Sequence, residues 1–317
     1  MQEPLVSIAI YTYNQIDFIE TTLKSALEQN YDNLEVVVAD DGSTDGTREV
    51  IIEYSKKYPT RLIPVIDEPN LGVTGNCNRV LNACRGDYIA WLPGDDIFLP
   101  NKTRMQVEWF LNNPDGAICC CDSDVFDSDT GQTLMVYRND NFYRGKSAWQ
   151  IAGEFNAPPT CALMVNQRLC RDIRFDQRTS TISDWLYVVE VCMRGKIGYV
   201  DEALVRYRRH ANNVTGGGAG KTYLDDRLIY TDLLISKYPG YFLPHKKQRG
   251  IVFYTTALRE FLDGKYTDAK WKALYSIAEW PFMLRVYFLL IGCLMGKLGV
   301  EFAVNNKSRL NRIFKNH

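Results

Sequence analysis

The 317-residue chain lacks several features that would place it quickly in a class. No run of eighteen or more uncharged apolar residues occurs, so no ordinary membrane-spanning helix is predicted. The nearest candidate, Val286–Met295, is bounded by Arg285 and Lys297 and reads as a buried helix or a segment lying in a membrane interface. No basic stretch precedes an apolar one at the start, which argues against a signal peptide and makes the sequons at Asn101, Asn213 and Asn306 chance matches. Excess charge is absent too: 37 Lys and Arg face 38 Asp and Glu, leaving no overall electrostatic reason to bind nucleic acid. Nine cysteines are present, none in a C-x-x-C zinc spacing. Cys119-Cys120-Cys121 fall on an apolar strand and read as reduced core thiols of a cytosolic protein.

What is present is a globular composition, 46% hydrophobic and 24% charged, with strand and helix patterns alternating over the first 125 residues. Strands are predicted at Leu5–Tyr11, Leu34–Ala39, Arg61–Ile66, Tyr88–Leu92 and Ala117–Cys121, with helices at Asp17–Gln29, Thr47–Lys57, Thr74–Cys84 and Lys102–Leu111 between them. Uninterrupted apolar strands separated by single helices imply a mostly parallel central sheet flanked by helices, an α/β fold. Beyond residue 125 the rhythm changes. A hairpin strand at Thr133–Tyr137, a short strand at Ala162–Val165, a helix at Trp185–Met193 and two strands, Ile197–Val200 and Leu204–Arg208, are expected. From Tyr223 the chain reads as a C-terminal helical region in four segments, broken near Pro239, Pro244, Gly264 and Pro281.

Ligands of open α/β sheets bind beyond the carboxyl ends of the strands, so the residues after each strand carry the information. They are Tyr11-Thr12-Tyr13-Asn14, Asp40-Asp41-Gly42-Ser43-Thr44-Asp45, Asp67-Glu68-Pro69-Asn70-Leu71-Gly72 and Pro93-Gly94-Asp95-Asp96. Singly, each is an ordinary turn or cap. Together they bring carboxylates and amides to one edge. Asp95 and Asp96 suit a hard divalent cation, Mn2+ or Mg2+, able to neutralise a diphosphate leaving group. Tyr13 can stack on a base, and Asp40 can accept from an imide N–H, which uracil has and adenine lacks. The dinucleotide-binding glycine pattern is missing after the first strand. Gly216-Gly217-Gly218-Ala219-Gly220-Lys221-Thr222 fails as a P-loop because Thr215 holds the first glycine position, and is read as a flexible loop or a lid. The calcium-loop reading of Asp41-x-Ser43-x-Asp45-Gly46 fails at Ile52, where a Glu is needed.

These strings, in their order and spacing over about residues 4–215, resemble the family 2 glycosyltransferases with the GT-A fold. The matching segments are Val6–Asn14, Asp40–Asp45, Asn70-Leu71-Gly72 and Gly86–Leu92 leading to Gly94-Asp95-Asp96. The resemblance implies an inverting, metal-dependent transferase using a UDP-sugar. Its nucleotide site would comprise Tyr11, Tyr13, Asn14, Asp40, Asp41, Asn70, Gly72, Asp95 and Arg208. Within it, Asp40 would contact uracil N3 and Tyr13 would stack on the base. Asp96, with Asp95 and His210 of Tyr207-Arg208-Arg209-His210, would hold the metal. Ser183-Asp184-Trp185 resembles the family's acidic pair, making Asp184 the base that deprotonates the acceptor hydroxyl. Asp184 would also serve as N-cap if a helix begins at Trp185. The chain departs from the pattern at Pro93, where an acid is frequent, at Cys77, where an Arg is common, and at Ser183, which replaces the first acid of the pair.

The implied organisation is a transferase domain over 1–220, with a nucleotide-binding half (1–125) and an acceptor-binding half (126–220), then helices over 221–317. Trp149, Asn156, Pro158, Pro159 and Thr160 are expected near the acceptor, for which the family context suggests a glycan or lipid-linked glycan of bacterial surface polysaccharide assembly. Aromatics of the C-terminal helices (Trp271, Tyr275, Trp280, Phe282, Tyr287 and Phe288) lie between basic residues, His245-Lys246-Lys247-Arg249 before and Lys297, Lys307, Arg309, Arg312 and Lys315 after. That pattern fits either helices on the cytoplasmic face of the inner membrane or a helical subdomain with a solvated basic tail. A GDP- or dTDP-sugar donor, nucleotidyl transfer, and a noncatalytic nucleotide-sugar-binding homologue are the competing readings.

Overall fold

The computed structural model describes residues 3–66, 69–139, 147–154, 158–179, 182–211, 213, 220–240, 245–296 and 298, excepting the side chains of 149, 153, 154 and 220–223. Two compact units emerge, Met1–Gly218 and Ala219–His317.

The first unit is built on one nine-stranded sheet. Strands β1 (Val6–Thr12), β2 (Leu34–Asp40), β3 (Leu62–Val65) and β4 (Tyr88–Pro93) pair in parallel in the order β3-β2-β1-β4. The alternating helices are α1 (Ile16–Leu27), α2 (Thr47–Lys57) and α3 (Gly72–Ala83), followed by α4 (Lys102–Asn112). β1 and β2 are buried on both faces almost throughout, which is why they read as unbroken apolar runs. Helix α1 turns Ile19, Leu23, Ala26 and Leu27 inward at helical spacing, into a core shared with Ile8, Val36 and Leu92.

Beyond β4 the sheet is mixed. After the two-residue β5 (Ile97–Phe98) and α4 come β6 (Gly116–Asp127) and its hairpin partner β7 (Thr133–Tyr137). A short helix α5 (Ala148–Glu154) and a 3-10 turn (Thr160–Ala162) lead to β8 (Leu163–Asn166). β8 inserts antiparallel between β4 and β6, so the segment expected as a fifth parallel strand does not adjoin β4. After α6 (Gln167–Cys170) and α7 (Ser183–Cys192), β9 (Lys196–Arg209) runs parallel to β6 and antiparallel to β5. The two strands expected here are one: Asp201 and Glu202 sit exposed where the β6 register shifts, so charge interrupts the apolar pattern without ending the strand.

The second unit consists of α8 (Gly220–Lys237), α9 (His245–Leu262), α10 (Tyr266–Glu279) and α11 (Leu284–Met295). Its small core joins Ala257, Phe261, Ala269, Ala273, Val286, Leu289 and Cys293. No helix among the described residues is long and apolar enough to cross a membrane. The glycine run at 216–218 and the basic residues Lys297, Lys307, Arg309, Arg312 and Lys315 lie outside the described residues.

Helix α4 reaches the β6–β9 ladder through Trp109, which lies against the bare backbones of Gly116 and Gly198; a Cβ at Gly198 would overlap the indole ring. We expect Gly198→Ala to destabilise the chain by about 1–3 kcal/mol. Thermal unfolding should show this as a loss of about 2–4 °C per kcal/mol; an unchanged midpoint would refute this packing.

Candidate active site

The loops leaving β1, β2, β3 and β4 share one edge because the strands are parallel. They are braced to one another. Asn14 adopts a left-handed φ of 49°; its N–H donates to Ser43 Oγ at 2.8 Å and its Oδ1 accepts from Thr44 N–H at 2.9 Å. Asp40, buried at the end of β2, accepts from the N–H of Ser43 at 2.9 Å and from its hydroxyl. Buried Asp41 accepts from Leu71 N–H at 2.8 Å, while its carbonyl accepts from Asn70 Nδ2 at 2.9 Å. Gly72 has φ 72° and open space where a Cβ would stand, so the left-handed backbone selects glycine here. Its N–H returns to Asn70 Oδ1 at 3.1 Å.

Two tyrosines follow β1's last apolar residues with opposite fates. Tyr13 is 49% exposed and presents its ring to solvent at the rim. Tyr11 points inward and bonds the side chain of Thr160. Burial first, then the charges of Cys77, Asp184 and Asp95, hold its phenol well above the ordinary range. Both carboxylates therefore lie within electrostatic reach of one hydroxyl, although they come from the β4–β5 turn and from α7.

The β4–β5 turn is locked from below by Thr22 Oγ1, which donates to the carbonyls of Gly94 at 3.0 Å and Asp96 at 2.8 Å. Asp96 is fully buried. Its Oδ1 accepts from Arg208 N–H at 2.9 Å, whereas Oδ2 has no hydrogen-bond partner. The Cys161 thiol, a weak donor, approaches the same carboxyl. Burial, and then the neighbouring Asp95 charge, hold Asp96 well above the usual carboxylate range. Arg208 Nε donates to the Asp95 carbonyl at 2.7 Å, and its guanidinium lies over the rings of Phe18 and Phe126 at 4.8 and 4.7 Å. His210 Nε2 stands 3.0 Å from Asp95 Oδ2 and its ring packs on Phe18 at 4.6 Å, leaving Nδ1 buried without a partner.

Two buried atoms with vacant lone pairs, one on Asp96 and one on the histidine touching Asp95, fit a cation better than they fit an empty interior. Among the described residues, no group of three or more His, Cys, Asp or Glu side chains is arranged to hold a metal ion, so Asp95, Asp96 and His210 would need ligands from outside the chain. Such a partial set suits Mg2+ or Mn2+, which complete their shells with phosphate oxygens and water.

Asp184 is the second residue of α7, whose cap position is Ile182. It is thus not the N-cap expected for a helix starting at Trp185. Burial pushes its carboxyl up to about 6, opposed by the N–H groups of Asp184 and Trp185. Of the residues expected near an acceptor, Thr160 meets Tyr11 and Pro158 and Pro159 precede the same turn, while Asn156 and the Trp149 side chain lie outside the described residues.

Several residues at the site carry no motif. Arg79 stands two positions after Cys77, itself buried near Asp184 and Asp41. The Arg79 guanidinium reaches the Asp40 carbonyl at 3.3 Å, Asp41 Oδ1 at 3.4 Å and the Pro69 carbonyl at 2.6 Å. A guanidinium thus reaches the Asp40–Asp41 segment from α3. Asn213, dismissed as a chance sequon, accepts from His210 N–H at 2.6 Å and donates to the Arg208 carbonyl at 3.2 Å. Phe18 is an aromatic on a helix with nothing to distinguish it.

Residues 7–168, just over half of the chain, match the profile of Glycosyl transferase family 2. The chain belongs to that family. An uncharacterised protein of Mycobacterium tuberculosis is 30% identical over 213 residues, covering 66% of this chain and 60% of the relative, so the match spans about three-fifths of that protein. TuaG of Bacillus subtilis, named as a teichuronic acid biosynthesis glycosyltransferase, is 37% identical over 109 residues, 34% of this chain and 43% of its own. Among solved structures, Staphylococcus aureus TarS 1-349 in complex with UDP superimposes with a TM-score of 0.62 at 14% identity, covering 91% of this chain and 90% of that one. The Pyrobaculum calidifontis mannosyltransferase PcManGT, in complex with GDP-Man and Mn2+, gives 0.60 at 16% identity over 98% and 83%. At such identities the structural likeness establishes the GT-A glycosyltransferase fold alone.

The raised Asp184 pKa has a consequence for this family 2 chain that needs no substrate. A carboxyl lifted from 3.8 to about 6 binds its proton more tightly when folded, so its contribution favours the fold at low pH and is lost as pH rises through about 6. Asp184→Asn should therefore stabilise the chain at pH 7.5, by at most about 3 kcal/mol, and change little at pH 4. Equal unfolding midpoints for both forms at both pH values would contradict this burial.

Proposed function

We propose that the chain is an inverting glycosyltransferase that moves a sugar from a UDP-sugar to a hydroxyl of a glycan or lipid-linked glycan in bacterial surface polysaccharide assembly. The observation that carries it is the convergence on Tyr11 of Asp184, from α7, and of Asp95, whose turn also holds Asp96, Arg208 and His210. A half-buried acid with a raised pKa, together with neighbouring carboxylates able to receive a cation, is what displacement of a diphosphate by a hydroxyl requires.

Each group has a physical role in this reading. Asp95 and Asp96, with His210 Nδ1, would hold a divalent cation, Mn2+ or Mg2+, which supplies charge neutralisation of the diphosphate. Tyr13, its ring open to solvent, stacks on the base. Asp40 accepts from the imide N–H of uracil; the Ser43 contacts fix its carboxylate for that task. Asp184 takes the proton of the attacking hydroxyl, and a pKa of about 6 leaves it ionised at neutral pH yet basic enough to accept. Arg208 and Arg79 stabilise negative charge at the rim. The name of TuaG supports the polysaccharide context, and the UDP complex of TarS is consistent with the donor. The GDP-Man complex of PcManGT makes a purine donor the alternative to exclude.

Calorimetric titration with UDP, GDP and dTDP, each with and without Mn2+, tests the donor. We expect Mn2+-dependent binding of UDP, lost in Asp96→Ala; preference for GDP would overturn the role given to Asp40. Asp184→Asn should bind UDP normally while transfer falls by about 10²–10⁴. For the wild-type chain, kcat should decline on the acid side with a midpoint near 6. Normal transfer by Asp184→Asn would remove the assigned base.

A further inference from the structure

The second unit carries an exposed apolar face. Helix α11 buries Val286, Leu289 and Cys293 at helical spacing. Its opposite side is apolar as well: Leu284, Tyr287, Phe288, Ile291, Leu294 and Met295 are exposed, Phe288 by 56% and Leu294 by 71%. Positions 284, 287, 288, 291, 294 and 295 form one continuous stripe at the α-helical period, the pattern of a face meant to be buried. Arg285 is the helix's only charged residue. Phe282, just before it, is 76% exposed, and α10 adds exposed Trp271 and Tyr275.

Charge indicates the occupant. Residues 219–317 hold 16 Lys and Arg against 8 Asp and Glu, whereas residues 1–218 hold 21 against 30. The near-neutral whole is thus a basic unit joined to an acidic one. Ammonium groups also lie beside the ring faces: Lys247 Nζ is 5.8 Å from the Trp280 centroid and Lys270 Nζ is 5.5 Å from Trp271. We propose that the outer face of α11 seats the chain on the surface of an anionic phospholipid bilayer, with the basic residues of the second unit against the headgroups. Its twelve residues rise about 18 Å, short of a bilayer core of about 30 Å, so the helix lies along the interface. A second copy is disfavoured as occupant because it would bring one basic unit against another. Nucleic acid is disfavoured because the stripe offers alkyl groups where phosphates need donors. The inference does not rest on the transferase reading.

Flotation of the full chain with vesicles of phosphatidylglycerol and phosphatidylethanolamine, against vesicles of phosphatidylcholine alone, provides the test. We expect binding to the anionic vesicles, weakened by salt, and reduced about tenfold or more in Ile291→Asp/Leu294→Asp. Circular dichroism and UDP titration report whether the variant is folded and its donor site unchanged, which separates failure here from failure of the transferase reading. No binding, or equal binding to both vesicle types unaffected by the substitutions, overturns the proposal. So does light scattering that finds a lipid-free dimer dissociated by the same substitutions, which would assign the face to self-association.

Discussion

The hydrogen bond from the Arg208 main chain to the buried Asp96 carboxylate joins residues 112 positions apart, and the candidate active site depends on it. Antiparallel pairing of β5 with β9, Ile97 opposite Arg206, sets the register that makes the bond possible. That register carries Arg208 and His210 to Asp95, and Thr22 holds the turn from the other side. The arrangement is costly. A carboxyl in the protein interior with one oxygen unpartnered carries a desolvation penalty that its single N–H contact does not cancel. The surrounding fold tolerates that cost, which a cation bound as proposed would offset.

Beside that contact, the loops after β1, β2 and β3 divide their polar residues between bracing and presentation. Asn14, Asp41 and Asn70 direct their side chains to neighbouring backbone groups, so residue types that suggest ligand chemistry are also what hold the edge rigid. A site whose loops are pinned to each other loses less conformational freedom on binding than one that must be ordered. Tyr13, largely without such duties, is left as an open ring surface.

How much of this was legible in the sequence follows from where the information is stored. β1 to β4 and their helices were readable because buried parallel strands are uninterrupted apolar runs and each helix lies between two of them. β8 was readable as a strand but not as an antiparallel insertion, since pairing direction leaves no mark in four residues. The two-residue β5 has too little sequence to show a period, and the charged Asp201-Glu202 disguised one strand as two. Within the site, contiguous strings such as Gly94-Asp95-Asp96 announced themselves. Phe18, Arg79 and Asn213 did not, because their meaning comes only from contacts with distant residues.

Net charge misleads in a similar way, since an average over the chain conceals opposite units. The acidic unit, with 30 Asp and Glu against 21 Lys and Arg, is also the one that carries the candidate active site. In the proposed reading an anionic diphosphate would meet a unit whose own net charge opposes it. Local cations must outweigh that field at short range, and only there, because screening confines each charge to about 8–10 Å. Arg208, near the end of β9, and Arg79, on α3, are the cations that the proposed reading assigns to this task, but both are already engaged with backbone carbonyls. A divalent cation between Asp95, Asp96 and the phosphates would reverse the balance, turning the two nearest negative charges from a barrier into ligands. The same acidity that would repel a free nucleotide would then favour one that arrives with a metal.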